Sequence, residues 1–312
     1  MGRGQTELAA TYIDVGGSRN RLKSHTAACS HLTAVVPVAN CCPLVTTAIQ
    51  VLLPTQAGYP KRVEALGWDS VLHVRGALSS DKPAVAIVGA RAASRSGMDR
   101  AHTLARHLAG AGVQIVSGGA LGIDGAAHRG SLDAGGTTTV VLGSGVDVIY
   151  PERHADLFDQ IVKRGGSLVS MFPCGMKPRR GSFVARNPLI AALADLVIVV
   201  EAEVRSGSMS TARAAREQGR VLAACPGTPG TRRLLAGGAT ALVETGEDAL
   251  AALAGSPRFP VPAQLDFDAL AVRDAVRAGA RSVDSIVTAT GLSVRAVLRA
   301  LPKLESCLAR ML

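Results

Sequence analysis

One stretch of the chain, from Gln160 to Ala194, contains basic residues but neither aspartate nor glutamate. Its six cationic side chains are Lys163, Arg164, Lys177, Arg179, Arg180 and Arg186. Phe183 lies among them, and the neighbouring glycines and proline favour a loop over a helix face. Guanidinium groups can hold phosphates while an aromatic ring stacks on a base, so this pattern predicts contact with a nucleic-acid strand. The alternative is that Phe183 packs into the core and the arginines are simply solvated.

Four further segments combine Gly, Ser and Arg directly after predicted strands: Gly89–Ser94, Ser117–Asp124, Gly143–Gly145 and Arg205–Thr211. Glycine lets backbone N–H groups approach a ligand, and amides at the start of a helix attract anions. The carboxyl ends of parallel strands meet at one edge of a sheet, so we expect a phosphate-binding crevice there that includes Ser94, Gly118 and Gly119. One such loop alone would need no ligand, because tight turns between strands and helices use glycine anyway.

The carboxylates and histidines near these loops form no catalytic or metal-binding pattern. The carboxylates nearest to strand ends are Asp124, Asp147 and Glu201. For Asp124, which follows a Gly-Ile turn, a helix cap or a loop brace is the expected role. His128, four residues after Asp124, is expected to make a local hydrogen bond. The sequence also lacks both the G-x-G-x-x-G turn and the Walker-type G-x-x-x-x-G-K-[ST] motif. We therefore predict binding without catalysis, with neither a cofactor nor a metal.

A regular alternation of strands and helices positions these loops. The strand candidates are short apolar runs: Val85–Gly89, Val113–Ser117, Thr138–Leu142, Leu168–Met171, Leu196–Glu201 and Val221–Ala224. Apolar residues recur at helical spacing in Met98–Ala109, Ile123–Asp133 and Met209–Gln218. This order predicts an α/β fold in which helices cover both faces of a parallel sheet.

The region before this pattern is less regular. Residues 1–56 give no defined element, and we interpret their apolar run Leu32–Leu53 as poorly ordered or accessory. Ala57–Gly76 predicts a short helix and a strand that lead into the sheet, so we place the central domain at residues 57–253.

The end of the chain predicts a small second domain. Residues 254–265 have the glycine and proline content of a linker. Residues 266–312 predict three short helices, the last of which is capped by Ser293 and presents the apolar residues Val294, Val297, Leu298 and Leu301. This rhythm is typical of a winged-helix or helix-turn-helix unit and, on pattern alone, equally of a small helical bundle.

Composition and charge narrow the class of protein. Hydrophobic residues make up 47% of the 312 residues but aromatic ones only 3%, which suits helix-covered parallel strands better than a β-sandwich. The net charge of +10 favours a polyanionic partner, namely nucleic acid, an acidic lipid surface or an acidic protein, unless the chain simply uses arginine freely. The six cysteines form no C-x-x-C pair and predict reduced thiols in a cytoplasmic protein, and no apolar run predicts a membrane span.

Taken together, these segments resemble the DNA-processing protein A (DprA/Smf) family. The resemblance covers roughly Tyr59 to Asp248 and rests on Val85–Arg91, Ile115–Pro151, Ser182–Asn187, Val199–Arg220 and Ala224–Gly227. It implies an extended Rossmann-like domain that forms homodimers and binds single-stranded DNA in a basic pocket. It also implies protection of incoming DNA, assistance in loading a RecA-type recombinase during natural transformation, and a variable C-terminal winged-helix module.

The resemblance and the glycine loops together give one candidate DNA-binding set: Arg91, Ser94, Gly118, Gly119, Lys177, Arg179, Arg180, Phe183, Arg186, Asn187, Ser206, Gly207 and Ser208. Within this set Arg91 resembles a phosphate-binding arginine, and the turn Ser206–Ser208 resembles one that faces an anion. Three positions depart from the family pattern. Leu121 and Pro188 stand where the family usually has arginine, and Met171 where it usually has glutamate. The loss of two cations predicts weaker DNA binding than is usual in the family.

Two other functions fit parts of the sequence. A nucleotide hydrolase resembling the cytokinin-activating phosphoribohydrolases would need a glutamate after the turn Ser206–Thr211, where Ala212 and Arg213 stand instead. A sensor that binds a small nucleotide in the same crevice is the third hypothesis. Saturation by a mononucleotide would support the sensor, whereas affinity that grows with oligonucleotide length would support strand binding.

Overall fold

The computed structural model describes residues 48–79, 81–259 and 267–308. Its sheet has nine strands in the order β1-β2-β6-β5-β4-β3-β7-β8-β9. In chain order their bounds are β1 Ile49–Leu52, β2 Leu72–Gly76, β3 Ala84–Val88, β4 Gln114–Ser117, β5 Thr138–Val141, β6 Ser167–Ser170, β7 Leu196–Val199, β8 Val221–Ala224 and β9 Ala241–Leu242. The six predicted strands correspond to β3–β8, so the prediction of the central sheet is confirmed.

Nine helices accompany the strands in the part of the sheet domain that the structure describes. They are α1 Lys61–Glu64, α2 Arg95–Gly110, α3 Ile123–Asp133, α4 Ala155–Lys163, α5 Arg180–Ala185, α6 Asn187–Ala192, α7 Gly207–Glu217, α8 Pro229–Ala236 and α9 Gly246–Leu253. A single 3₁₀ turn, Glu152–His154, precedes α4. The predicted helices correspond to α2, α3 and α7, and the predicted helix and strand within Ala57–Gly76 correspond to α1 and β2.

The sheet is mixed rather than wholly parallel. Strands β3–β9 pair in parallel, but β2 runs antiparallel to β6 and β1 antiparallel to β2. In β2, half-buried His73 and buried Arg75, which pairs with Asp159 at 2.7 Å, alternate with buried Leu72 and Val74. Polar residues at alternate positions are more typical of antiparallel strands than of doubly covered parallel ones. Because β1 begins at Ile49, the sheet starts before the predicted boundary at residue 57.

Helices cover both faces of the sheet. Alternate residues of β3 separate the two cores: Val85 and Ile87 pack with α2, α3 and α9, whereas Ala86 and Val88 pack with α6, α7 and α8. Small residues allow close approach of the helices. A Cβ on Gly130 of α3 would lie 2.1 Å from the carbonyl oxygen of His102 in α2. The low aromatic content therefore fits a core of short side chains and closely packed elements.

The C-terminal unit consists of α10 Phe267–Arg277, α11 Val283–Thr290 and α12 Val294–Leu308. Its core includes Val272, Ile286 and Val297, and the Ser293 hydroxyl accepts a hydrogen bond from the Ala296 N–H, as predicted for a cap. Val294 and Leu298, predicted on the apolar face, are instead exposed. The described part of this unit contains no strand, so a winged helix stays a prediction.

Three sequence predictions fall wholly or partly outside the described residues. They concern residues 1–47, the second half of the predicted linker at 254–265, and the ends of the predicted C-terminal domain. Within the described residues, no helix combines the length and apolar character needed to cross a membrane. Cys174 and Cys225 form no disulfide.

Asp195 joins three segments at the amino edge of the sheet. Its carboxylate accepts hydrogen bonds from Arg62 Nε at 2.6 Å, from Arg62 Nη2 at 2.8 Å and from the Ala84 N–H at 2.9 Å. We expect Asp195→Ala to lower the free energy of unfolding by about 1–3 kcal/mol, because it removes these charge-assisted hydrogen bonds. Partial screening by solvent limits the size of the loss. Urea denaturation would measure the loss. Equal stability of Asp195→Ala and of the control Glu203→Ala, which removes an exposed carboxylate, would contradict this expectation.

Candidate nucleic-acid interface

The glycine-containing loops meet at the carboxyl edge of the sheet, as predicted. The loop after β3 contacts the loop after β4, because the Ile123 N–H donates to the Ala90 carbonyl at 3.2 Å. It also contacts the loop after β7, because the Ala90 N–H donates to the Glu201 carbonyl at 2.8 Å. Parallel pairing of β3–β7 brings these loops together from distant positions in the sequence.

Phe183 forms an aromatic and cationic cluster with Tyr150 and Arg91. The ring centroids of Phe183 and Tyr150 are 5.5 Å apart with planes inclined at 44°, and the Arg91 guanidinium carbon lies 4.9 Å from the Phe183 centroid. Phe183 is half-buried, and Tyr150 is 44% exposed. The alternative of a fully core-packed Phe183 is therefore wrong. The cluster combines aromatic surface, against which a base can stack, with a cation that can hold a phosphate.

Contacts with the loop after β5 fix the position of Phe183. The neighbouring Ser182 hydroxyl donates a hydrogen bond to the Gly143 carbonyl in the loop after β5. A Cβ on Gly143 would lie 2.8 Å from Phe183 Cδ1, so the ring rests directly on this glycine. Residues 180–185 form helix α5 rather than the predicted loop. Ser182 stabilises its start by accepting a hydrogen bond from the Arg179 N–H at 3.1 Å.

The cationic segment divides into two groups. Lys177, Arg179 and Arg180 are exposed, and none forms an ion pair with another described residue. Lys163 and Arg164 lie at the opposite edge, because α4 returns the chain to the start of β6. The interpretation of one continuous cluster of six charges is therefore wrong. Three exposed cations remain beside the aromatic pair.

Arg186 is buried rather than surface-exposed. Its side chain is 3% exposed, and Nη2 donates to the Gly118 carbonyl at 2.8 Å. A Cβ on Gly118 would lie 2.1 Å from Arg186 Nη1, so this glycine makes room for the guanidinium. Burial lowers the pKa of Arg186 to about 10, which leaves it charged at neutral pH. Arg186 thus supports the loop after β4 from within.

Asn187 and the turn before α7 are joined. Asn187 Nδ2 donates to the Gly207 carbonyl at 3.1 Å, which holds the start of α7 against α6. Ser206 precedes the helix without capping it through its side chain, and its buried Oγ has no hydrogen-bond partner among the described residues. Gly207 is exposed and Ser208 is buried. This helix start therefore keeps a hydroxyl and backbone amides that could face an anion.

Of two buried histidines, His154 contacts the loop after β4 directly, whereas His128 contacts β5. His154 Nδ1 lies 2.9 Å from the Gly119 carbonyl, and only a donor on this nitrogen satisfies that contact. Gly119 has a φ of +70°, and a Cβ there would lie 2.8 Å from Phe158. His128 Nδ1 lies 2.7 Å from Thr138 Oγ1. The predicted local hydrogen bond of His128 is therefore wrong, because its partner is on β5 rather than on its own helix.

Asp124 braces the same loop. Its carboxylate accepts a hydrogen bond from the Ala120 N–H at 3.3 Å, in agreement with the predicted role. Burial raises the pKa of Asp124, and the positive charge of Arg186 opposes that increase. Burial lowers the pKa of His128 to about 3 and also lowers the pKa of His154. Three polar side chains thus support the loop after β4 from within the protein: Arg186, Asp124 and His154.

Ser94 makes contacts within the protein that the sequence did not suggest. Its N–H donates to Glu201 Oε2 at 2.9 Å, and its hydroxyl donates to Glu201 Oε1. The same hydroxyl caps α2 by accepting from the Gly97 N–H at 2.9 Å. Ser94 therefore binds a carboxylate of the chain itself.

Tyr150 is the interface residue that sequence reasoning missed. The available signal was its position shortly after the Gly143–Gly145 loop in a chain with few aromatics. The three departures from the family pattern have different settings. Leu121 is 38% exposed in the loop after β4, whereas Pro188 lies in the first turn of α6 and Met171 packs against the core.

A mixed sheet covered by helices on both faces, with a basic and aromatic cluster at its carboxyl edge, defines a doubly wound α/β protein. The chain belongs to the DNA recombination-mediator protein A family, whose model matches residues 50–254. Among known relatives, a putative DNA processing protein DprA of Mycobacterium tuberculosis is 42% identical over 238 residues, which cover 71% of this chain and 60% of the relative. Protein Smf of Escherichia coli is 41% identical over 182 residues, which cover 57% of this chain and 49% of that protein.

Solved structures agree with this assignment. DNA processing protein A from Streptococcus pneumoniae superposes with a TM-score of 0.59 and 37% identity, over 64% of this chain and 73% of that one. The protein of the same name from Helicobacter pylori, whose structure concerns its single-stranded DNA binding mode, gives a TM-score of 0.58 and 31% identity, over 67% of this chain and 97% of that one. The chain spans less than two thirds of the length of the curated relatives above.

Proposed function

We propose that this protein binds single-stranded DNA at the carboxyl edge of its sheet. The observation that carries the proposal is the cluster of Phe183, Tyr150 and Arg91, with aromatic surface, a cation and solvent access in one place. A single strand presents unstacked bases next to phosphates, and this cluster suits both. The described binding mode of the Helicobacter pylori protein supports the same ligand class here.

Each group has a distinct role in this proposal. Phe183 and Tyr150 stack on a base, and Arg91 holds an adjacent phosphate. Exposed cations extend the contact along the strand: Lys177, Arg179 and Arg180. Buried Arg186 does not contact the strand but holds Gly118 and adds positive charge beneath the loop. The start of α7, with Ser206 and Gly207, offers a further anion contact.

The wider role follows from family membership. We propose that the protein forms homodimers, protects incoming DNA and assists the loading of a RecA-type recombinase in recombination or natural transformation. The proposal assigns no catalytic step to any residue.

Strand binding should depend on salt through the exposed cations. We expect the logarithm of the association constant for oligothymidylate to fall with the logarithm of salt concentration by about 0.7 per phosphate contact. Simultaneous replacement of Lys177, Arg179 and Arg180 by glutamine should make this slope shallower by about 2. Fluorescence anisotropy with single strands of increasing length and with a duplex would measure slope and preference.

A charge-matched control separates local contact from general attraction. The variant with Lys61, Arg106 and Lys163 replaced by glutamine loses three exposed cations outside the interface. Its slope should stay close to that of the wild type. Equal slopes for the two triple variants, or tighter binding to duplex than to single strands, would overturn the proposed interface.

A further inference from the structure

The phosphate-binding crevice expected from the sequence would lie where the loops that follow β3 and β7 meet, and there the Ala90 N–H donates to the Glu201 carbonyl at 2.8 Å. Strands β3 and β7 are neighbours in the sheet. From β3 the chain continues to β4 on one side, and from β7 it continues to β8 on the opposite side, so the winding direction reverses between β3 and β7. Folds of this kind usually bind nucleotides at such a reversal, with a phosphate at the start of the adjoining helix. Here the adjoining helix after β3 is α2, which begins at Arg95.

The Glu201 carboxylate occupies this position. Both of its oxygens accept hydrogen bonds from Ser94, one from the N–H at 2.9 Å and one from the hydroxyl. A negative charge at a helix start is stabilised by the helix dipole and by hydrogen-bond donors there. The chain therefore supplies its own anion where a nucleotide phosphate would otherwise bind.

The first turn of α2 is shaped around this carboxylate. A Cβ on Gly97 would lie 2.3 Å from both Cδ and Oε1 of Glu201, so no larger residue fits without displacing the carboxylate. Gly97 is buried and does not have a positive φ, so its glycine is explained by contact rather than by backbone conformation. This close fit is independent of the hydrogen bonds to Ser94.

Glu201 also fixes the loop that carries Arg91. Its backbone carbonyl accepts from the Ala90 N–H at 2.8 Å, and its side chain binds Ser94. The loop is thus held on both sides of Arg91 by one residue. The Arg91 guanidinium, 4.9 Å from the Phe183 centroid, therefore projects from a loop with two fixed ends.

We propose that Glu201 is a specificity-determining residue that excludes small nucleotides from the crevice and restricts the site to strands. A mononucleotide phosphate entering beside Ser94 would meet the Glu201 carboxylate at the start of α2. A longer strand does not need that position, because its phosphates reach Arg91 and the exposed cations at 177–180. This inference rests on the proposed function, since it concerns the selectivity of the same edge.

The test compares two ligands in matched variants. Thymidine monophosphate would compete with labelled oligothymidylate for the wild type and for Glu201→Ala, Glu201→Gln and Glu203→Ala. We expect competition by the mononucleotide to improve about tenfold in Glu201→Ala, because removal of the charge frees the donors of Ser94. Glu201→Gln, which keeps the side-chain volume, should show a smaller gain, and Glu203→Ala none. A change of equal size in Glu203→Ala, or no change in either Glu201 variant, would overturn the inference.

A second readout separates this inference from the proposed function. Isothermal titration calorimetry with thymidine monophosphate alone should detect binding to Glu201→Ala and little or none to the wild type, whether or not either protein binds DNA. If the wild type fails to bind oligothymidylate, the proposed function fails, and calorimetry still decides the role of Glu201. Circular dichroism would establish that the variants fold. Should Glu201→Ala unfold, Glu201→Gln carries the test, and the absence of any calorimetric gain in it would count against the inference.

Discussion

Phe183→Ala should weaken binding of single-stranded DNA by about 1–3 kcal/mol, which corresponds to roughly 5- to 150-fold in affinity. The ring lies 5.5 Å from Tyr150 and beneath Arg91, so truncation removes the stacking surface and leaves the guanidinium without its aromatic partner. Fluorescence anisotropy with oligothymidylate at fixed salt would measure the change.

Two further variants distinguish stacking from a general change in α5. Val184→Ala shortens a neighbouring side chain that is 52% exposed, and it should leave affinity nearly unchanged. Phe183→Leu keeps apolar volume but removes the aromatic face, so most of the loss should persist. A folded Phe183→Leu protein with wild-type affinity would show that the ring is only a filler between Gly143 and the solvent.

The central sheet was predictable because its strands carry their own signal. Runs such as Leu196–Val199 are short, wholly apolar and buried, as expected of a central strand in a sheet with helices on both faces. The sequences of the outer strands β1 and β9 give a weaker indication of strand structure. Strand β9 consists of Ala241–Leu242 alone, and β1 is part of an apolar run whose pairing depends on β2. A two-residue strand has no periodicity to recognise.

The interface was predictable in position but not in detail. The sequence placed the glycine loops at one edge because strand direction dictates it. It did not show that Arg186 is buried, because that depends on Gly118, which is far away in the chain and lacks a Cβ. The pairing of Ser94 with Glu201 has the same origin, since the two residues meet only through the adjacency of β3 and β7. Such contacts between loops leave no trace in local sequence patterns.

The prediction of a loop at the position of helix α5 was wrong. Gly181, together with nearby Gly175 and Pro178, favoured a loop, yet residues 180–185 form a helix. The helix starts where the Ser182 hydroxyl accepts from the Arg179 N–H, and the same hydroxyl reaches the Gly143 carbonyl. A contact with another loop thus outweighs the low helix propensity of glycine.

The protein should lose stability as pH falls below neutrality, and His128 should account for much of the loss. His128 is fully buried, and Thr138 already donates its hydroxyl hydrogen to the Ile115 carbonyl. The Nδ1 of His128 must therefore be the donor to Thr138, which leaves Nε2 unprotonated and without a partner among the described residues. Protonation of Nε2 would bury a charge, and accordingly burial lowers the pKa of His128 to about 3 from the ordinary 6.5.

The sign and size of the effect follow from proton linkage. Between pH 6.5 and 3 the unfolded chain binds a proton at this histidine that the folded protein does not, so unfolding becomes easier as pH falls. The slope is up to about 1.4 kcal/mol per pH unit, or about 2 kcal/mol between pH 6.5 and 5. His154, whose pKa is also lowered by burial, acts in the same direction. Asp124, whose pKa is raised by burial, acts in the opposite direction, because it favours the folded state at low pH.

Comparison of variants isolates the contribution of His128. Urea denaturation at intervals from pH 7 to 5 should give a shallower acid loss for His128→Gln than for the wild type, even if the variant is less stable at pH 7. His102→Gln removes a histidine that lies on the outer side of α2 beside Asp133, and it controls for the loss of a titrating side chain. If the free energy of unfolding fell equally with pH in the wild type and in His128→Gln, the buried imidazole would accept a proton without cost to stability. The space around His128 between α3 and β5 would then be hydrated rather than closed to solvent.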